Sequence, residues 1–320
     1  MKKNKIKDTG LEVTELSFGT SSLGSMPDTY GYEVPEDRAQ KTLNRFFQGP
    51  VNMLDTSRNY AMGESEKRIG KAIKENGGWP NGFLLSTKLD RNMDTLVLDK
   101  NRVRESLEES LKTLNVDSVD ILFLHDPEYA KDITDITKKD GAMDELFKIK
   151  NEGLAKAAGV AMGKVDIMFP LLKDWDFDVI INHNRYTLIN REANEMYDYA
   201  SSKNIAIFNA APYAGGVLAK GPDNFKKITY QDATEDKLAP AREFEKVCKK
   251  HNVELGAAAL QFSLRDNRIT STICGVTSVE SIEKNLAWAN AEISGEFWDE
   301  VLKLPFSSND PESDRVFTPG

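Results

Sequence analysis

The chain has 320 residues, 40% of them hydrophobic, which is enough to bury a large core. Its 42 Lys and Arg against 51 Asp and Glu leave a net charge of -9 with no long basic block, which argues against nucleic acid or anionic membranes as partners. Two cysteines, Cys248 and Cys274, and three histidines, His125, His183 and His251, show no paired ligand spacing, so no metal site is expected. The polar start Met1-Lys2-Lys3-Asn4 offers no apolar stretch for secretion, and a cytoplasmic protein is expected.

Alternating residues over 3–13 around Asp8-Thr9-Gly10 predict a hairpin that plugs the N-terminal end of a barrel. Short apolar runs then alternate with amphipathic stretches. The runs predict strands over 16–20, 51–55, 83–88, 120–125, 155–161, 178–183, 205–210 and 270–276. Helical patterns fill 35–47, 64–75, 101–114, 142–152, 165–172, 191–203, 240–251 and 278–289, with extra helices over 254–264 and 295–304. Eight strands, each with its helix, predict an α/β fold closed as a (β/α)8 TIM barrel. The tail 307–320 is expected to be irregular, and nothing divides 1–320 into more than a single domain, a monomer or small homo-oligomer.

In such a barrel, chemistry sits where strands end. Asp55, Lys88 and His125 close three successive strands, 33 and 37 residues apart, close to one βα unit each, and Tyr60 follows Asp55 on the same loop. These four groups suit hydride chemistry at a carbonyl, which needs a proton donor in one direction and a base in the other. A tyrosine, with an ordinary pKa of about 10, could serve both if the ammonium of Lys88 drew that value down. Asp55 would hold Lys88, and His125 would donate a hydrogen bond to the substrate oxygen. Each also has a plainer reading: a strand-end aspartate as a cap, a lysine as a solvated charge, a tyrosine as packing.

The stretch Asp55-Thr56-Ser57-Arg58-Asn59-Tyr60, with Gly63-Glu64-Ser65-Glu66 and Ile69-Gly70, resembles the aldo-keto reductase signature D-T-A-x-x-Y-G…S-E-x-x-[IL]-G. Lys88 after Ser86-Thr87, His125 after an aliphatic strand, and Gly10-Leu11-Glu12-Val13 before Leu16-Ser17-Phe18-Gly19-Thr20 extend the likeness over nearly the whole chain. The resemblance implies an oxidoreductase with a catalytic tetrad of Asp55, Tyr60, Lys88 and His125. It also implies a nicotinamide cofactor held without a Rossmann motif, and no G-x-G-x-x-G occurs here. By the same resemblance Gly19, Thr20 and Asp55 would border the cofactor, and the loop with Pro212, Gly215, Gly216 and Leu218 would approach the pyrophosphate, where glycines admit close backbone N–H groups. Gly275, Val276, Thr277, Ser278, Ser281, Lys284 and Asn285 would hold the adenosine half, near a helix start. The plainer readings are a turn after a strand and an N-capped helix.

Several positions depart from the family's commonest pattern. Gly159-Val160-Ala161-Met162 stands where many members grip the carboxamide with Ser-Asn, His183 where they use Gln, and Ala210 where an aromatic ring stacks on nicotinamide. Met162 and His183 therefore stand in for the carboxamide clamp, His183 as a donor at a strand end or as a structural histidine. Gly-Val-x-Met, His125-Asp126-Pro127 and Arg185-Tyr186-Thr187-Leu188 resemble the bacterial branch of aldose 1-dehydrogenases and pyridoxal dehydrogenase. That likeness implies a sugar or small aldehyde substrate, a pocket lined by Ser21, Asn59 and Asp126, and oxidation with NAD. Gly275 and Ser281 lack the cations that grip a 2′-phosphate elsewhere in the family, while Lys284 keeps NADP open. Two other classes remain: a Schiff-base aldolase built on Lys88 with Tyr60 as its acid-base group, or a cofactor-loaded regulatory subunit on the same scaffold.

Overall fold

A computed structural model describes residues 1–313 and 315 of the chain. Strands β1 (Lys3–Ile6) and β2 (Leu11–Thr14) pair antiparallel about the expected turn. The barrel strands follow as β3 (Leu16–Gly19), β4 (Met53–Asp55), β5 (Leu84–Leu89), β6 (Val119–His125), β7 (Ala155–Met162), β8 (Val179–His183) and β9 (Ala206–Ala210). A short ribbon of β10 (Lys227–Ile228) and β11 (Gln231–Asp232) precedes β12 (Ile269–Gly275), which pairs in parallel with both β9 and β3 and closes the cylinder. The expected (β/α)8 TIM barrel is the fold.

Strand alternation sorts the side chains into two layers. Ile121 and Phe123 of β6, Ala157 and Ala161 of β7, Val179 and Ile181 of β8 and Phe208 of β9 face inward, in one buried cluster with Ile6, Leu11 and Val13 of the hairpin. The hairpin therefore stoppers the end at which the strands begin and leaves the other end open. Leu122, Leu124, Val160, Met162, Ile180 and Ile207 point outward into the larger core beneath the helices. Gly159 is a glycine for lack of room: a Cβ there would stand 1.9 Å from the Val179 carbonyl oxygen and 2.9 Å from the Phe123 ring.

The helix expected over 295–304 ends at Val301, and two helix starts differ from expectation as well. The helix expected over 191–203 begins later, as Asn194–Ser202, because the Arg191 N–H is spent on the Ser307 carbonyl at 2.8 Å. The helix expected from residue 240 runs Glu235–Lys250 with Pro240 inside it; its buried stripe of Leu238, Ala241, Phe244 and Cys248 carries the pattern across the proline. The described part of the tail has no regular element but is tied down. Ser307 bridges Asn190, Asn190 Nδ2 donates to the Asn309 carbonyl at 2.8 Å, and Arg185 pairs with Asp310 at 2.6 Å and with Glu312. The rest of the tail, 314 and 316–320, lies outside the described residues. Among the described residues no helix is long and apolar enough to cross a membrane.

Candidate active site

At the open end, β4 and β5 deliver Asp55 and Lys88 side by side: Asp55 and Ser86 share a register, and Lys88 lies two residues on. Lys88 Nζ donates to Asp55 Oδ2 at 2.8 Å and to the Thr56 carbonyl at 2.6 Å, and Ser86 Oγ donates to the other Asp55 oxygen at 2.8 Å. Asp55 and Lys88 are both buried. Lys88 Nζ also lies 4.7 Å from the Tyr60 ring centroid, over its face. The Tyr60 and His125 rings meet edge to face at 5.8 Å. Asp55, Tyr60, Lys88 and His125 thus gather within one small volume. An ammonium so engaged has no lone pair to offer a carbonyl carbon, which argues against Lys88 as a Schiff-base nucleophile.

The expected lowering of the Tyr60 pKa is not what this arrangement produces. Burial raises it well above the ordinary phenol value, and the carboxylate of Asp55, the Tyr30 phenol, Asp126 and Asp90 push the same way. Burial dominates, so Tyr60 is a neutral phenol, poised to give a proton. His125 experiences opposing influences: burial disfavours its charged form, but Asp90 and Asp126 outweigh this and the pKa is raised.

Asp55, Tyr60, Lys88 and His125 line one end of a continuous cleft of about 540 Å³ whose other end is formed by Gly275, Thr277, Ser281, Lys284 and Asn285. Gly19, Ser21, Asn59, Asp126, His183, Ala210, Gly215 and Gly216 also line it. Six expected cofactor residues do not. Met162 points outward from β7 and is buried beneath the helices, leaving Ala161 on the cleft wall. Thr20 is buried behind the wall, its hydroxyl donating to the Asp55 carbonyl at 3.0 Å. Pro212 is buried, as are Leu218 and Val276, which belong to the outer core. Ser278 is the N-cap of the helix Val279–Ala289, in a capping box with Ser281. Ser281 lines the cleft, but its hydroxyl donates to the Ser278 carbonyl at 2.7 Å and accepts two backbone N–H groups, so the plainer reading of an N-capped helix describes this serine pair. Asn285 is similarly engaged, with its Oδ1 on the Tyr213 hydroxyl and its Nδ2 on the Ser281 carbonyl.

The sequence did not point to Tyr30, Asp90, Arg91, Met93, Tyr230 and Arg315, which also line the cleft. Asp90 was within reach of sequence reasoning, lying two residues beyond Lys88 and just past the end of β5. Tyr30 ends the one-turn helix Pro27–Tyr30 and Tyr230 sits in the turn of the β10–β11 ribbon, segments too short for a periodic signal, and their rings meet edge to face at 5.9 Å. Gly215 has φ +77, and a Cβ there would crowd the Thr229 and Tyr230 amides at 2.9 and 3.0 Å, so glycine lets the ribbon close onto this loop.

The aldo/keto reductase family profile matches residues 15–304. The chain is 31% identical to L-galactose dehydrogenase of Arabidopsis thaliana over 284 residues, 88% of this chain and 85% of that protein. It is 26% identical to D-threo-aldose 1-dehydrogenase of a Pseudomonas species over 320 residues, covering 92% and 94% of the two chains. Among solved structures, an aldo-keto reductase from Bacillus halodurans in its holo form aligns with a TM-score of 0.79 at 22% identity over 99% of this chain and all of the other, a likeness of fold.

Proposed function

Because the chain belongs to the aldo/keto reductase family of oxidoreductases, we propose that it oxidises the anomeric carbon of an aldose, or a small hydroxyl or aldehyde compound, with NAD(P) as hydride acceptor and Tyr60 as general acid/base. The observation that carries this reading is the meeting of Tyr60, Lys88, Asp55 and His125 in a continuous cleft of about 540 Å³. The relatives whose names denote sugar dehydrogenases support the substrate class.

The cleft residues fit such a cofactor. A Cβ on Gly275 would meet nothing within 4 Å, which leaves the adenosine end open. At the other end burial lowers the His183 pKa, chiefly against Glu312, so the ring is neutral. Asn184 Nδ2 lies 3.3 Å from its Nδ1, which leaves Nε2–H as a donor suited to a carboxamide oxygen. When bound, the nicotinamide supplies the hydride acceptor or donor. In oxidation C1 of the sugar would lose a hydride to the nicotinamide, its hydroxyl proton would pass to the phenolate form of Tyr60, and the C1–O bond would become the carbonyl of a lactone. Lys88 sets a fixed positive charge against the tyrosine ring, and Ser21, Asn59 and Asp126 give polar walls for hydroxyl groups. Gly275 and Ser281 offer no cation to a 2′-phosphate, which favours NAD.

Purified protein with NAD⁺ or NADP⁺, assayed for reduced-cofactor absorbance against aldoses, pyridoxal and simple alcohols, tests the reading. Turnover of an aldose supports it. No turnover of any of these, or borohydride trapping of a carbonyl substrate on Lys88, rejects it.

A further inference from the structure

Asp90, at the end of β5, is fully buried, and its two oxygens divide their partners cleanly. Oδ2 accepts the Ser57 hydroxyl at 2.6 Å and the Asn59 backbone N–H at 3.0 Å, while Oδ1 lies 2.6 Å from His125 Nδ1. Ser57 Oγ also lies 3.1 Å from that nitrogen, but its one proton is committed to Asp90. Both neighbours of Nδ1 are therefore acceptors, and Nδ1 must carry a hydrogen. The consequence falls on the opposite side of the ring. With Nδ1–H fixed, Nε2 bears a proton only when the imidazole is charged; otherwise it presents a lone pair.

We propose that Asp90 is a positioning residue for His125: by fixing the Nδ1–H tautomer it makes the cleft-facing Nε2 a hydrogen-bond donor as imidazolium and an acceptor as neutral imidazole. This deepens the reading of the cleft as an active site and rests on it. It also refines the expectation that His125 donates a hydrogen bond to the substrate oxygen, by tying that role to the charged ring. The groups facing the ring are Asp90 and Lys88 from β5, Asp126 beside it in the chain with Oδ2 3.8 Å from Nε2, and Tyr60 from the loop after β4. Both carboxylates favour the charged donor and Lys88 opposes it. In reduction the imidazolium would offer a charge-assisted hydrogen bond to the carbonyl oxygen, and in oxidation the neutral ring would accept one from a substrate hydroxyl.

The test is nitrogen NMR on the free, full-length chain with labelled histidine rings, the three histidines being assigned by His183→Asn and His251→Gln variants. In the wild type, neutral His125 should show a protonated Nδ1 and a bare Nε2. In Asp90→Asn the Ser57 and Asn59 donors select the amide oxygen, so the amide NH₂ faces Nδ1. The proton should then move to Nε2, and the His125 pKa should fall by about one unit or more, tenfold in its protonation ratio. A wild-type neutral ring protonated at Nε2, or an Asp90→Asn chain whose His125 keeps its tautomer or its pKa, overturns the proposal. The wild-type spectrum decides even where the variant does not fold. Since no substrate is present, the result is independent of whether the chain turns over a sugar.

Discussion

Asp55 and Lys88 meet at 2.8 Å inside the barrel mouth with only 4% and 2% of their surfaces exposed. A buried pair of this kind is costly to break from one side, because the surviving charge is left in a low dielectric. Lys88→Met should destabilise the fold by about 3–5 kcal/mol in urea unfolding. The double variant Asp55→Asn with Lys88→Met should lose less than the sum of the two single losses, since it removes both charges together. None of the three should turn over substrate. A double loss equal to that sum would show that the two groups do not act as a pair.

Tyr60→Phe should lower turnover by about 10²- to 10⁴-fold while leaving dinucleotide affinity, read by fluorescence quenching, unchanged. The pH dependence follows from the raised Tyr60 pKa. At neutral pH the group is a phenol, which serves reduction directly, so the Tyr60 contribution to the reduction rate should be level there and fall only in alkali. Oxidation requires Tyr60 to take a proton, and the phenolate fraction grows about tenfold per pH unit below the pKa. The oxidative kcat/KM should therefore climb into the alkaline range in the wild type but not in Tyr60→Phe. An oxidative optimum near neutrality with an alkaline decline would contradict this assignment.

The barrel was legible because closed parallel strands with helices between them impose two periodicities on the chain, and all eight strands stand where those periods put them. The four strand-end groups were legible for the same reason, since spacing by one βα unit places them on one rim. What spacing could not supply was direction. Met162 occupies a plausible sequence position, but one-residue alternation turns it outward. Lys88 stands beside Tyr60 as expected, over its ring, yet burial decides the sign of the pKa shift. Tyr30, Tyr230 and Arg315 reach the cleft from short segments far apart in the chain, where no local pattern reports tertiary proximity.

Arg185 is fully buried, and its charge is balanced by Asp310 and Glu312 of the tail, 125 and 127 residues later. Glu312 is buried too, and it also holds Arg315 at the cleft wall. Glu312→Ala leaves the guanidinium short of a buried partner and should destabilise the chain by about 3–5 kcal/mol. Exposed pairs such as Lys41–Asp37, with both side chains more than 70% accessible, should be nearly silent to the same treatment. Thermal unfolding of Glu312→Ala beside Asp37→Ala makes the comparison, and equal melting temperatures would mean the tail bears no load.

Any affinity for NADP⁺ should depend on Arg38. Its Nη2 lies 3.5 Å from the Thr277 hydroxyl at the adenosine end of the cleft, while Lys284 Nζ lies 4.6 Å from the Trp288 ring centroid, over its face. With Gly275 and Ser281 uncharged, NAD⁺ should bind more tightly than NADP⁺ in equilibrium titration. Any residual NADP⁺ affinity should depend on Arg38, because a guanidinium forms strong charge-assisted bonds to a phosphate, each worth about 1.5–3 kcal/mol. Arg38→Ala should therefore weaken NADP⁺ by about tenfold or more and NAD⁺ far less. Tighter binding of NADP⁺ than of NAD⁺, abolished in Arg38→Ala, would instead make Arg38 the 2′-phosphate ligand and reverse the proposed cofactor preference.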